Sequence, residues 1–167
     1  MHVRLPVTAL LSILSLAAMT AQTRKEQPTA ACPAQPSTLR AMRDCYRPLL
    51  VFAPSLDNPQ LKAQFSQLQG HTPDLKSREI LYVPIVPEGH NQPIPASHIP
   101  TARLSEDELA AAHQHFQVEN GSFLVVLLGK DGGIKLKSRT PVSVDQLKRL
   151  IDSMPMRQGE MKQQGEP

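Results

Sequence analysis

The sequence predicts an α/β sandwich, a small sheet with helices on both faces. Three observations carry this. Pro48 to Ala53 and Glu79 to Val86 are continuous apolar runs, the signature of strands buried on both faces. Between them Leu61, Phe65 and Leu68 repeat at i, i+4, i+7, the stripe of an amphipathic helix. Further on, Ser122 to Leu128, a glycine-rich turn and an alternating run read as an antiparallel hairpin.

The elements follow in order along the 167 residues. Arg4 precedes an apolar run, Leu5 to Ala18, broken only by Thr8, Ser12 and Ser15, and small residues follow at Ala17, Ala18, Thr20 and Ala21. This is the order of a secretory signal peptide. We expect residues 1–21 to be a signal peptide and the product to be exported, periplasmic or secreted. The run is shorter than the roughly 20 apolar residues of a membrane span, so no membrane attachment is expected after cleavage. Residues 22–45 are polar and Pro-containing and read as a flexible mature N-terminus, with a short helical turn near Thr38 to Tyr46. The folded domain is expected over 46–158 and a disordered tail over 159–167.

Inside the domain, Asn58-Pro59 is an N-cap followed by proline at the first helical position, and Gly70 with Pro73 ends that helix. Pro84 cannot donate a ladder hydrogen bond, so pairing is expected to fail there. Pro87 to Ala102 is a long Pro-rich loop of the kind that is often functional. Ser105-Glu-Asp-Glu108 is a capping-box pattern opening a helix with Leu109, Ala112 and Phe116 inward. Gly129-Lys-Asp-Gly-Gly133 is a turn, because glycine and aspartate tolerate positive φ. Ile134 to Arg139 alternates apolar and basic, so Lys135, Lys137 and Arg139 are expected to face solvent. Val144, Leu147, Leu150, Ile151 and Met154 form the last helical stripe, ended by Pro155.

The order β-α-β-α-β-β-α, with two helices on one face and one on the other, is the minimal thioredoxin-like three-layer sandwich. Other α/β sandwiches share this order.

The net charge of +3 is too small to argue for nucleic acid or an anionic membrane. Cys32 and Cys45 lie in a chain bound for an oxidising compartment. They read as a disulfide, with two free thiols as the alternative. Their spacing is neither Cys-x-x-Cys nor a metal doublet.

Two stretches carry a more specific resemblance. One is Arg47-Pro-Leu-Leu-Val-Phe-Ala-Pro-Ser55 with Asp57. The other runs from Phe123 through Leu128-Gly-Lys-Asp-Gly-Gly-Ile-Lys135 to Ile151-Asp-Ser-Met-Pro-Met-Arg157. Over roughly Tyr46 to Met161 the chain resembles the P-DUDES family, a domain of unknown function found in exported bacterial proteins. Similar domains occur in the vertebrate sushi-repeat-containing and coiled-coil-named matrix proteins. The resemblance implies a thioredoxin-like fold without the redox centre.

In a thioredoxin-like fold the redox cysteines open the helix after the first strand, where the helix N-terminus lowers the thiol pKa. Here that position reads Asp57-Asn58-Pro59-Gln60, with no sulfur, and Gly121-Ser122 stands where a proline usually precedes the third strand. Cys45 lies at the far end of the first strand, about 20 Å away. Ser55, Asp57 and Asn58 are a candidate polar site at the position of the lost motif, against the plainer reading of helix capping. Lys130, Lys135, Lys137 and Arg139 are a candidate basic strip for docking an acidic partner, against a solvated edge. The histidines show no metal-ligand spacing, and no cofactor or metal is expected. The expected function is a non-catalytic binding module for an unidentified protein or glycan. The alternative is a redox accessory that switches Cys32 and Cys45.

Overall fold

The structure is a computed structural model that describes residues 31–87 and 98–165. The expected signal peptide, residues 22–30, the middle of the long loop and 166–167 lie outside the described residues. The elements are α1 (Leu39–Met42), β1 (Arg47–Phe52), α2 (Pro59–Leu68), α3 (Thr72–Ser77), β2 (Ile80–Ile85), α4 (Glu106–Phe116), β3 (Leu124–Leu128), β4 (Ile134–Ser138), α5 (Val144–Asp152) and α6 (Pro155–Gln164).

The four strands form one mixed sheet in the order β2-β1-β3-β4. β1 pairs parallel with β2 and antiparallel with β3, and β3 pairs antiparallel with β4. The two unbroken apolar runs that lie at the centre, β1 and β3, are buried along their whole length. Alternation divides their side chains between two cores. Leu49, Val51, Val125 and Leu127 meet α2, α3 and α5 through Leu61, Leu68, Leu75, Leu147 and Ile151. Leu50, Phe52, Val126 and Leu128 meet α1 and α4 through Met42, Ala112 and Phe116. Each fully buried side chain of this size contributes roughly 2 kcal/mol of transfer free energy.

Asn58 caps α2 as its sequence position predicts. Its side-chain oxygen accepts from Gln60 N (3.0 Å) and Leu61 N (3.1 Å). The β3–β4 turn also forms as expected, with Gly132 at φ +77 and Asp131 accepting from Gly133 N at 3.0 Å.

Several expectations need correction. Pairing does not stop at Pro84, which sits opposite Val51. β2 is an edge strand, and Tyr82, two residues earlier, turns its own N–H and C=O outward to Pro100 and Ala102. Pro84 shares that outward side, where it removes no β1 bond. Pro73 opens a short helix, α3, rather than only ending α2. Pro155 likewise occupies the first turn of a further helix, α6, so residues 159–164 are helical and not a disordered tail. Residues 31–45 belong to the same compact unit as the sheet and are not a loose leader. The Tyr46 hydroxyl donates to Pro33 O at 2.8 Å, and Asp44 N donates to Lys130 O at 2.8 Å. Ser105 stands at the N-cap of α4, but its side chain makes no cap bond. Its backbone N–H instead donates to Ser37 O at 2.9 Å. That removes the donor Glu108 would have bonded in a capping box.

Candidate functional site

Strand β1 has two ends, and chemistry-bearing residues gather at both. At its C-terminal end lies the turn into α2. Asn58 is spent on the cap described above. Asp57 is exposed and pairs with Lys62 at 2.7 Å; the hydrogen bond from that ammonium holds its carboxyl below the usual range. Ser55 contributes its carbonyl to Asn58 N at 3.2 Å. The three residues are neighbours, but the side-chain oxygens of Asp57 and Asn58 are turned to local bonds rather than to one shared point.

The N-terminal end of β1 is different. Arg47 is 1% exposed. Its Nη1 donates to Glu79 Oε2 at 3.0 Å, and its Nη2 to both Glu160 oxygens at 3.0 and 3.1 Å. Lys130 Nζ lies 2.6 Å from Glu79 and 2.9 Å from Glu160. Arg157, also buried, places Nη1 3.6 Å from Glu160 and Nε 3.8 Å from Asp152. Arg78 forks onto Asp152 at 2.9 and 2.7 Å. Burial alone would raise the Glu160 carboxyl, but Lys130 and Arg47 outweigh it and hold the group below the ordinary range. Glu79 adopts φ +52, unusual for a non-glycine residue. Its carbonyl accepts Arg47 N at 2.8 Å, so the cluster holds it there. These contacts fasten α6 and the β3–β4 turn to the end of the sheet.

The sequence-read basic strip is therefore divided. Lys130 turns into the ion cluster. Lys135 pairs with Asp131 at 2.7 Å, and Lys137 Nζ donates to Phe116 O at 2.9 Å, at the C-terminus of α4. Arg139 is exposed, with Glu119 at 3.8 Å. Lys137 is exposed and Lys135 partly so, and each ammonium also has a local partner. Arg47 and Arg157 are the residues whose roles the strand and helix patterns leave unassigned; as charged residues beside apolar runs, they give no periodic signal.

Beside the same end of the sheet, on the α4 face, lies a cavity of about 650 Å³. Its floor includes Met42, Ala112, Phe116 and Leu128. Arg40 and Arg43 from α1, Asp44, and Glu108 and His115 from α4 stand around it. The wall that α1 provides is anchored by the Cys32–Cys45 disulfide, whose Cα atoms are 5.5 Å apart. Among the described residues no group of histidine, cysteine or carboxylate side chains is placed to hold a metal, and no helix is long and apolar enough to cross a membrane.

A parallel β-α-β unit, an antiparallel hairpin and helices on both faces define a thioredoxin-like α/β domain. Solved structures agree on the fold. The Arabidopsis thaliana ScoI structure with copper bound matches at a TM-score of 0.52 and 13% identity, over 72% of this chain and 88% of that one. A Plasmodium yoelii Prx1a matches at 0.50 and 17%, over 77% and 82%. At such identity the likeness shows fold alone. Residues 38–160 match the Domain of unknown function (DUF4174), and the chain belongs to that family. No curated protein matches it by sequence.

Proposed function

We propose that the chain is an exported, non-catalytic, thioredoxin-like binding module. One observation carries the reading. The helix start where this fold uses a thiol holds an amide oxygen cap, and both sulfurs sit in a disulfide beside the opposite end of β1. A helix N-terminus lowers a thiol pKa only when the thiol is at that terminus. The disulfide and the signal-like N-terminus support export, since such bonds persist in oxidising compartments. The resemblance to P-DUDES points the same way. The partner is a protein or glycan met outside the cytoplasm, and no cofactor is required.

The competing reading makes Cys32 and Cys45 a working redox pair, and the exposure of Cys32 favours testing it. Insulin reduction by the purified mature protein separates the two when run beside a true thioredoxin. The binding-module reading expects no turnover above the uncatalysed rate, and the same null result for Cys45→Ala. Turnover near the thioredoxin control, lost in Cys45→Ala, would reject it.

A further inference from the structure

The 650 Å³ cavity between α1, α4 and the β3–β4 turn is of the size that small-molecule sites occupy. Its charges differ from the paired cations of the ion cluster and its surroundings. Arg47, Arg78, Lys130, Lys135 and Lys148 all have carboxylate partners within 3.0 Å. At the cavity, Arg40, Arg43, Asp44 and Glu108 have no side-chain hydrogen bond or ion pair among the described residues. Two cations and two carboxylates thus line one concavity without forming ion pairs with each other.

Two further features indicate that this arrangement is built. Arg43 lies against the turn at Gly132: a Cβ there would stand 2.7 Å from its Nε and 3.2 Å from its Cζ. The guanidinium is packed on bare backbone, so less side-chain entropy is lost when it binds. Glu108 is released by a different device. The Ser105 N–H that a capping box would offer it is taken by Ser37 O, which leaves the carboxylate at the cavity wall.

We infer that this cavity binds a short peptide with free termini and apolar side chains. The chemistry is complementary at three points. The planar fork of Arg43, with Arg40 one turn away on α1, suits the terminal carboxylate. Glu108 and Asp44 suit the terminal ammonium. Leu39 and Ala111, the accessible apolar residues of the lining, offer the surface for the side chains. A purely anionic ligand satisfies only half of these groups and meets repulsion from the carboxylates. The inference rests on the binding-module reading and gives it a ligand class.

The test is a ¹⁵N–¹H NMR titration of the mature, disulfide-bonded protein with leucyl-leucine, its C-terminal amide and its N-acetyl form. Expected are saturable shifts confined to α1, α4 and the β3–β4 turn, with affinity falling about tenfold on blocking either terminus, as for loss of a charge-assisted contact. Arg43→Gln should abolish the penalty for the amide, and Glu108→Gln the penalty for the acetyl form. Both residues are on the surface, and an unchanged backbone spectrum verifies folding. No saturable shifts, or equal affinity for all three peptides, would overturn the inference. Insulin turnover together with this binding pattern would reject the non-catalytic reading and leave the ligand class standing.

Discussion

Strand β1 runs between two unlike ends. At the Phe52 end the buried fastenings are neutral hydrogen bonds, and the Asp57–Lys62 ion pair there is exposed. Asn58 caps α2, and the buried Gln64 clamps the chain after β4, donating to Val142 O at 3.0 Å and accepting from Val142 N at 2.7 Å. At the Arg47 end the fastening is ionic, with buried Arg47, Arg157 and Lys130 shared among Glu79, Glu160 and Asp152. The end where this fold usually places reactive sulfur spends Asp57 and Asn58 on local bonds. The other end carries the buried charge, the disulfide and the open cavity. A fold constrains where strands and helices go, but not which end of the sheet carries chemistry.

The sharpest way to break the comparison is Arg47→Met. It leaves Glu79 to Lys130 alone, and Glu160 to Lys130 and the more distant Arg157, and removes a buried partner. We expect a loss of about 4 kcal/mol in urea unfolding. A loss under about 1 kcal/mol would show that the ionic end does not fasten the fold. At the neutral end, Gln64→Leu strands both polar groups of Val142, for which about 2 kcal/mol is expected. Asn58→Ala removes one cap and should cost about 1 kcal/mol.

Acid separates the ends further. The Glu160 carboxyl is depressed in the folded state. Its contribution is therefore complete above the ordinary glutamate pKa of about 4.3 and is lost as pH falls through the lower folded value. Unfolding measured from pH 7 down to pH 3 should show Glu160→Gln less acid-sensitive than the wild type below that range. The Asn58→Ala and Gln64→Leu penalties should stay constant with pH, since neither group titrates.

The sequence made the sheet legible because its strands differ sharply from their surroundings. Pro48 to Ala53 and Ser122 to Leu128 are unbroken apolar runs, and the Gly129 to Gly133 turn is specific. What escaped was anchored by polar atoms. α6 has no apolar stripe; Arg157 and Glu160 tie it down, and charge pointing inward looks like charge pointing outward in a sequence. Gln64 sits at a core position between Leu61 and Leu68, where a polar side chain adds nothing to the apolar stripe. Lys130 was grouped with Lys135 by proximity in the chain, although the turn aims it at Glu79 and Glu160. The cavity was illegible because one wall, α1, belongs to a segment that looked like a flexible leader. Of the polar site at Ser55, Asp57 and Asn58, only the capping role of Asn58 could be read in advance, from the proline that follows it.

The reduction potential of the Cys32–Cys45 pair, measured by equilibrating the protein in defined thiol–disulfide buffers, tests most directly whether those sulfurs fasten the chain or react. A structural clasp predicts a potential at or below about −300 mV. A value near about −200 mV, in the range of thiol–disulfide enzymes, would contradict the account and return the two cysteines to a redox role.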